Sequence, residues 1–436
     1  MTAVGPRPGS TNLPRSTNRR GTRGGEADPR RIAQADVLVD GVPAATLTRR
    51  DGLVEFAYRD DHLEAAGPAV ATTLPLSEEP VRTVGGAVPP FFSGLLPEGR
   101  RLTALRSAVK TSADDELSLL LAVGGDPVGN VQVLPAGSAP ESGPLTGSSR
   151  HPESGAGPVV ADDDWAELDF ADLAAASGVD PGALAGVQEK VSGRMLTLPL
   201  VHGGRFHLLK LTPPEYPSVV ENEAFFLDLA RRRLRHPVVE ATVVRDRSGR
   251  AGLLVTRFDR IVQHGSVRRL AVEDGAQLLG RYPADKYTVT TEALLARVGE
   301  VAAARLPAVR AVLQQVVLAW LTGNGDLHAK NVSVVRSGGE WRVAPIYDIP
   351  STLPYGDHRL ALTVAGRDDS LSRKRVLALA EGAGLPPRAA DRAVDEILTA
   401  TADLRDLPAD ALPLAPHVLR DLRRVLGKRH DALTSG

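Results

Sequence analysis

The stretch Leu321-Thr-Gly-Asn-Gly-Asp-Leu-His-Ala-Lys-Asn-Val-Ser-Val-Val335 decides how this chain is interpreted. Before it, apolar residues recur at steps of three and four, the pattern of an amphipathic helix with one buried face. After its polar centre comes a short apolar segment typical of a strand. We therefore predict a packed helix, a polar loop and a β-strand. The helical face consists of Val309, Val312, Leu313, Val316, Val317, Trp320 and Leu321.

The polar centre of this stretch carries Asp326 and, five residues later, Asn331. This is the spacing of kinase catalytic loops, in which the Asp accepts the proton of the substrate hydroxyl and the Asn binds Mg²⁺. A loop rich in Gly, Asn and Asp between a helix and a strand is also an ordinary turn. The spacing alone leaves both interpretations open.

A second acidic residue follows a predicted hairpin. A strand at residues 332–335 and a turn at residues 337–339 precede a returning strand through Trp341 and Val343, which leads to Asp348. A hairpin of this length brings Asp348 back beside Asn331, and the two supply the hard oxygen ligands that Mg²⁺ prefers. Phosphoryl transfer with ATP and Mg²⁺ is therefore the leading hypothesis.

A phosphoryl-transfer site also needs a cation for the nucleotide phosphates. Lys210 ends an alternating strand pattern at residues 206–210, as the lysine of the third kinase strand does. Glu223 follows thirteen residues later, early in a helix predicted from Val219 to about Arg233, and is the expected partner of Lys210. Glu221 competes for the same role.

Composition places the chain among ordinary globular proteins, with 436 residues, 42% hydrophobic and 24% charged. A net charge of -1 gives no reason to expect binding to nucleic acid or membranes by bulk electrostatics. The absence of cysteine excludes disulfides and thiolate metal sites, so a cytoplasmic location is expected. No signal peptide or spanning segment is predicted.

The chain divides by composition into several segments. We expect an α+β protein with a small N-terminal α+β domain and a bilobal, kinase-like domain whose C-lobe is mostly helical. Turns at Asp40-Gly41 and Asp51-Gly52 are predicted to join the first strands of the N-terminal domain. The predicted segments are a disordered arm (1–32), the N-terminal domain (33–135), a flexible linker (136–160), the kinase N-lobe (161–265), the C-lobe (266–420) and a C-terminal tail (421–436).

Several short motifs occur in an order that is familiar. They are residues 91–99, 186–190 and 255–260, Glu273 and Asp274 with Gln277, Lys286 with Tyr287, and residues 324–333 and 345–348. With these motifs the chain resembles the HipA family of bacterial serine/threonine kinases, the toxin halves of type II toxin–antitoxin pairs, over roughly residues 35–415.

The resemblance implies roles for individual residues. Asp326 matches the catalytic base, Asn331 and Asp348 the Mg²⁺ ligands, and Lys210 the lysine that binds the ATP phosphates, with Glu223 in a structural ion pair. The remaining residues expected to bind ATP are the phosphate-loop residues Gly186, Val187, Gln188, Glu189 and Lys190, the hinge residues Thr256, Arg257 and Phe258, and His328 and Lys330 of the catalytic loop.

The resemblance also implies partners. Family members phosphorylate aminoacyl-tRNA synthetases, notably the glutamyl enzyme, which blocks translation and induces dormancy. A helix-turn-helix antitoxin, HipB-like, neutralises them and binds operator DNA. Members often carry an autophosphorylated serine three residues before the loop glycine, where this chain has Ala183. We expect that self-inactivation at this position is lost or that control rests on a partner.

Three other functions compete. Residues 324–331 are also close to the catalytic loop of aminoglycoside and choline kinases, which act on small alcohols, although the segment at residues 91–99 argues against them. A catalytically silent binding module would not need Lys210, Asp326, Asn331 and Asp348 together. A metallohydrolase built on Asp326, His328 and Asp348 lacks a second His at metal-binding spacing, and His328 is better interpreted as a loop-packing residue.

Overall fold

The computed structural model describes residues 28–138, 157–160, 164–176 and 195–435. The predicted arm up to residue 27, the predicted linker over residues 139–156 and the predicted phosphate loop at residues 186–190 lie outside the described residues, as does Ala183.

The N-terminal domain is an antiparallel sheet of five strands in the order β4-β3-β2-β1-β5, with short helices beside it. Its first two hairpins turn through Asp40-Gly41 and Asp51-Gly52, all four with positive φ, which confirms the predicted two-residue turns. The elements are β1 (Gln34–Val39), β2 (Val42–Arg50), β3 (Leu53–Tyr58), α1 (Asp60–Glu64), β4 (Val81–Val84), α2 (Pro90–Ser93), α3 (Gly99–Val109), α4 (Glu116–Val123) and β5 (Val131–Pro135).

The N-lobe of the second domain is a sheet in the order β6-β7-β8-β10-β9 with one long helix packed on it. That helix covers the predicted residues and buries Phe226 and Leu227 in the main core. The elements are β6 (Val159–Val160), α5 (Phe170–Ala176), β7 (Leu196–His202), β8 (Arg205–Leu211), α6 (Val219–Arg233), β9 (Ala241–Arg245) and β10 (Ala251–Thr256). Residues 157–160, predicted as the end of the linker, instead add a parallel edge strand to this sheet.

The chain after β10 contains more strand than the sequence predicts. Two of these strands, β11 (Arg260–Gln263) and β12 (Ser266–Arg269), form a hairpin. Another, β13 (Val272–Asp274), pairs with β14 (Ser333–Ser337), which pairs in turn with β15 (Glu340–Val343). A strand of three residues is too short to show an alternating pattern, and β13 is held by its pairing with β14 across a long loop. The C-lobe is mostly helical, as predicted, but β13 was not predicted from the sequence.

The rest of the C-lobe is helical, as predicted. Its elements are α7 (Gly275–Leu278), α8 (Thr291–Val301), α9 (Arg305–Thr322), α10 (Arg373–Gly382), α11 (Pro387–Thr401) and α12 (Pro416–Thr434). The α9 helix is the amphipathic helix of the opening stretch, and it is buried from Ala308 onward apart from Arg310. Within the described part of the chain, no helix combines the length and the apolar character that a bilayer crossing requires.

The segment predicted as a C-terminal tail is part of the packed α12 helix. Its Leu422, Leu426 and Leu433 are buried in the main core. Arg429 stacks on the Trp320 ring at 3.8 Å and donates a hydrogen bond to the Trp320 carbonyl at 2.9 Å. Leucines at steps of three, four and seven from Leu419 therefore form one apolar helix face, which extends the helical lobe beyond the predicted boundary.

Candidate active site

The loop predicted to be catalytic, called the catalytic loop below, begins where α9 ends. Gly323 closes the helix with a φ of 73°, a left-handed conformation that favours glycine. A side chain at Gly325 would meet the Arg359 carbonyl oxygen at 2.5 Å, so this backbone approach also requires glycine. The amide of Gly325 donates to the Thr352 hydroxyl at 2.8 Å. The loop that carries Asp326 is therefore held by close contact with the segments around Thr352 and Arg359.

Asp326 is fully buried and is held by its neighbours in the loop. Its amide donates to Oδ1 of Asn324 at 2.9 Å, and its carbonyl accepts a hydrogen bond from Nδ2 of Asn331 at 2.8 Å. The Tyr287 hydroxyl donates to Oδ1 of Asp326 at 3.2 Å. The Asn331 amide nitrogen is committed to the loop, which leaves its oxygen as the atom that can ligate a cation.

Lys210 joins the two lobes. From β8, its Nζ atom donates to Oε1 of Glu223 on α6 at 2.7 Å and to Oδ1 of Asp348 at 2.8 Å. Glu221, the competing candidate, points elsewhere and pairs with Arg245 at 3.4 Å. The structure thus brings Lys210, Glu223 and Asp348 together, and Asn324 connects the Asp348 backbone to the loop that carries Asp326.

Burial and charge act in opposite directions on these groups. Burial disfavours the charged form of Lys210, but the carboxylates of Asp348 and Glu223 outweigh it and raise the lysine pKa. Burial raises the pKa of Glu223 to about 7; attraction to Lys210 opposes the shift, and repulsion from Asp348 adds to it. Burial also acts to raise the pKa of Asp348, yet Lys210 lowers it overall. Both shifts favour the charged forms of Lys210 and Asp348, and the Lys210 ammonium group contacts both carboxyl groups.

The hairpin returns Asp348 to the catalytic loop. Tyr347 donates to the Lys330 carbonyl at 2.7 Å, and Nδ2 of Asn324 lies 3.4 Å from the Asp348 carbonyl oxygen in a hydrogen bond. Asp348 has a φ of 57°, an uncommon conformation for a residue other than glycine. Such backbone conformations cluster at functional sites, where surrounding contacts stabilise them.

These residues fit Mg²⁺ and ATP by the chemistry of their donors. The Asp348 carboxylate and the Asn331 amide oxygen are hard ligands, and Lys210 is a buried cation. Over the described ranges, no group of three or more His, Asp or Glu is arranged to hold a metal. An ion here would complete its coordination with phosphate oxygens and water, which is how Mg²⁺ is commonly bound in kinases.

His328 and Lys330 lie in the loop but have other contacts. Burial, with Lys286 nearby, lowers the pKa of His328 to about 3, so its ring is neutral, and it packs edge-on against Tyr287 at 5.2 Å. Lys330 donates to the Gly94 carbonyl at 2.9 Å and to Asp274 at 2.8 Å. These contacts tie Lys330 to the N-terminal domain, and a part for either residue in ATP binding stays a prediction.

The predicted hinge residues lie at the end of β10, whose last residue is Thr256. The amide of Thr256 donates to the Glu240 carbonyl at 2.8 Å and that of Arg257 to the Phe206 carbonyl at 2.9 Å. The Phe258 ring stacks on Tyr347 with centroids 5.9 Å apart. Both amides are therefore engaged within the N-lobe, and contact between this segment and adenine stays a prediction.

The Arg257 side chain instead belongs to a buried ion-pair cluster between the two domains. Arg257 and Arg260 both contact Asp126 of the N-terminal domain at 2.7 Å, and both contact Asp259. Arg269 adds a further contact to Asp126 at 3.0 Å. The sequence gives no local signal for this cluster, because its members Asp126 and Arg260 are 134 residues apart.

Models of two protein families match the chain. The model described as the HipA N-terminal domain matches residues 35–134, and that described as the HipA-like C-terminal domain matches residues 182–404. Two proteins of Sinorhizobium fredii that are named as kinases are similar in sequence. One is 32% identical, over 71% of this chain and 74% of its own length, and the other 31% identical, over 74% and 78%.

A further similar sequence and a similar solved structure come from Shewanella oneidensis. A protein named as the serine/threonine-protein kinase toxin HipA is 26% identical, over 68% of this chain and 71% of its own length. The HipA chain in a solved complex of HipA, HipB and operator DNA superposes with a TM-score of 0.72 at 21% identity, covering 92% of this chain and 97% of that one. The predicted α+β, kinase-like fold is confirmed by this likeness.

Proposed function

Since this chain belongs to the HipA family, we propose that it is an ATP-dependent serine/threonine protein kinase. The observation that carries the proposal is the meeting of Lys210, Glu223 and Asp348, with Asn324 bonded both to the Asp348 carbonyl and to the amide of the buried Asp326. Two lobes contribute these groups, and a cation, a metal-ligating carboxylate and a candidate base are the components that phosphoryl transfer requires.

Each residue has a distinct part in the proposed reaction. Bound ATP supplies the transferable phosphoryl group, and Mg²⁺ supplies charge that offsets its oxygens. Lys210 would bind phosphate oxygens, and Asn331 and Asp348 would hold the metal. Asp326 orients the attacking serine or threonine hydroxyl and takes its proton. Most of the catalysis is positioning and electrostatics, because the chain has little covalent chemistry to perform.

The proposed substrate and partner follow from the family. The acceptor is a protein hydroxyl, with an aminoacyl-tRNA synthetase such as the glutamyl enzyme as the first candidate, and phosphorylation would inhibit translation and growth. A HipB-like helix-turn-helix antitoxin is the proposed partner, and through it operator DNA. The solved Shewanella complex of HipA with HipB and operator DNA supports this assignment.

The test compares cells that express the wild-type chain, Asp326→Asn or Asp61→Asn, with phosphopeptides quantified across the proteome. Asp61 is an exposed residue of the N-terminal domain, paired only at the surface with Arg59, and serves as a matched control. We expect new phosphoserine or phosphothreonine sites with the wild type and Asp61→Asn but none with Asp326→Asn. The site that appears would name the target.

If no protein gains phosphate in any of the three, the protein-kinase proposal fails. Incubation of the purified chain with labelled ATP and a panel of small alcohols, including aminoglycosides and choline, would then test the alternative of a small-molecule kinase. A chain that transfers phosphate to neither class is a binding module.

A further inference from the structure

The carboxylate of Glu98, a residue of the N-terminal domain, contacts the catalytic loop. Glu98 lies between α2 and α3 and accepts a hydrogen bond from Nζ of Lys286. Its Oε1 atom lies 3.4 Å from Nζ of Lys330. The side chains of Lys286 and Lys330 are only 12% and 11% exposed. Both lysines belong to the second domain, so this contact crosses the boundary between the domains, 188 residues apart in sequence for Glu98 and Lys286.

Lys286 is connected to the candidate base, Asp326, through the loop backbone and through Tyr287. Its carbonyl accepts a hydrogen bond from the Ala329 amide at 3.2 Å, within the catalytic loop. Its Nζ lies 5.2 Å from the centroid of the Tyr287 ring, and the Tyr287 hydroxyl donates to Asp326. A displacement of Lys286 would therefore move both the loop backbone and the tyrosine that holds the Asp326 carboxylate.

Lys330 is adjacent in sequence to the candidate metal ligand Asn331. It precedes Asn331 and is anchored by Asp274 and by the Gly94 carbonyl of the N-terminal domain. Asp274 caps α7 through the Gln277 amide, and Nε2 of Gln277 donates to the Phe91 carbonyl at 2.9 Å. The segment at residues 91–98 thus contacts the catalytic loop and its support at several points.

The charges explain why a carboxylate stands at this position. Two ammonium groups that are nearly buried and lie close together repel each other and have lost much of their hydration. Asp274 pairs with Lys330 alone, whereas Glu98 contacts both lysines. Although burial acts to raise it, the pKa of Glu98 is lowered to about 2 by Lys330 and Lys286, so this carboxylate is ionised at neutral pH.

From these contacts we infer that Glu98 is a positioning residue for phosphoryl transfer and that the N-terminal domain completes the active site of the kinase domain. Glu98 acts through Lys286 and Tyr287 on Asp326, and through Lys330 on Asn331. The inference rests on the proposed kinase function. It differs from a purely adhesive role, in which Glu98 would hold the domains together without influence on the reaction.

The experiment uses the full chain with Glu98→Gln, which keeps the shape of the side chain and removes its charge. The readouts are the rate of phosphate transfer from labelled ATP to proteins of a lysate, and the number of ATP molecules bound per folded chain. Positional errors of about 1 Å in an active site cost up to about 100-fold. We expect the maximal rate to fall by about 10- to 100-fold while ATP stoichiometry and affinity stay within about 2-fold.

Two further variants separate positioning from loss of structure. Glu55→Gln removes an ion pair of the same domain on its exposed sheet, where Glu55 contacts Arg82, and should leave the rate unchanged. Lys286→Met should also lower the rate, and the double variant should be little slower than Glu98→Gln alone, because the loss of the Glu98 charge already interrupts the path through Lys286. Glu98→Asp, which keeps the charge, should recover part of the rate.

Several outcomes would overturn the inference. One is a Glu98→Gln chain that transfers phosphate at the wild-type rate, and another is additive losses in the double variant. If Glu98→Gln does not fold, Glu98→Asp decides, because it keeps the charge but draws the carboxylate back by one methylene group. A folded Glu98→Asp chain with a reduced rate would support positioning, and one with the full wild-type rate would count against it. A wild-type chain that transfers no phosphate overturns the proposed function itself, which distinguishes the two failures.

Discussion

The Nζ atom of Lys210 donates a 2.8 Å hydrogen bond to Oδ1 of Asp348, across 138 residues of sequence. The pair joins the N-lobe sheet to the end of the C-lobe hairpin. Glu223 shares the same ammonium group and has no exposed side-chain surface. Because Asp348 is also the proposed metal ligand, the contact that holds the lobes together and the proposed cofactor site use the same carboxylate.

Replacement of Lys210 by methionine should destabilise the fold. The change leaves Glu223 and Asp348 as buried carboxylates without their cation, and loss of one partner of a buried ion pair typically costs about 3–5 kcal/mol. Urea unfolding of the variant and the wild type measures the difference. Lys428→Met, at an exposed position of α12, is the control and should change stability by less than about 0.5 kcal/mol. Equal effects at the two positions would contradict the account.

The attachment of the N-terminal domain depends on Asp126. Its carboxylate contacts Arg257, Arg260 and Arg269, and its own side chain is 2% exposed. Asp126→Asn leaves an excess of buried positive charge and should lower stability by about 3 kcal/mol or more. Asp421→Asn breaks an exposed pair with Arg424 and should cost about 0–1 kcal/mol. Urea unfolding tests both, and a loss below about 1 kcal/mol for Asp126→Asn would contradict the prediction.

Glu273 makes stability depend on pH. Burial raises its pKa to about 7, although hydrogen bonds from the amide and hydroxyl of Thr72 act to lower it. A carboxyl group whose pKa is higher in the folded than in the unfolded chain contributes stability that is complete below about pH 4.5 and is lost as the pH rises through about 7. Glu273→Gln should remove this dependence.

The thermal unfolding midpoints of the wild type and of Glu273→Gln, measured at pH 5 and at pH 8, test the direction of this pH dependence. The stability of Glu273→Gln relative to the wild type should increase from pH 5 to pH 8, by up to about 3 kcal/mol. Glu55→Gln, which changes an exposed carboxylate, should show no such increase. A relative stability that is constant, or that falls, over this interval would contradict the raised pKa.

Local patterns in the sequence were sufficient for much of the fold. The 3.6-residue periodicity of α9 and the alternation in β8 each correspond to an element in the structure, and the Asp-Gly turns form as predicted. The helix α6 has the bounds that its pattern indicates. In these elements the burial of one face is determined by neighbours along the chain.

Contacts between distant segments could not be predicted in the same way. The short strand β13 exists because β14 pairs with it, and the α12 helix is fixed by packing on α9. In the candidate site, the spacing between Asp326 and Asn331 and the hairpin before Asp348 are local signals. The approach of Glu98 to Lys286 and Lys330 is not, because no periodicity links residues of two separate domains.

The most direct test of the proposed site is the rate at which purified Asp326→Asn transfers labelled phosphate from ATP to proteins of a lysate. Loss of a general base typically costs 10²–10⁴-fold in rate, roughly. We predict a loss of this size with ATP binding within about 2-fold of the wild type, since Asp326 contacts the acceptor hydroxyl in the proposed reaction. A variant that transfers phosphate at the wild-type rate would contradict the assignment of Asp326 and with it the proposed mechanism.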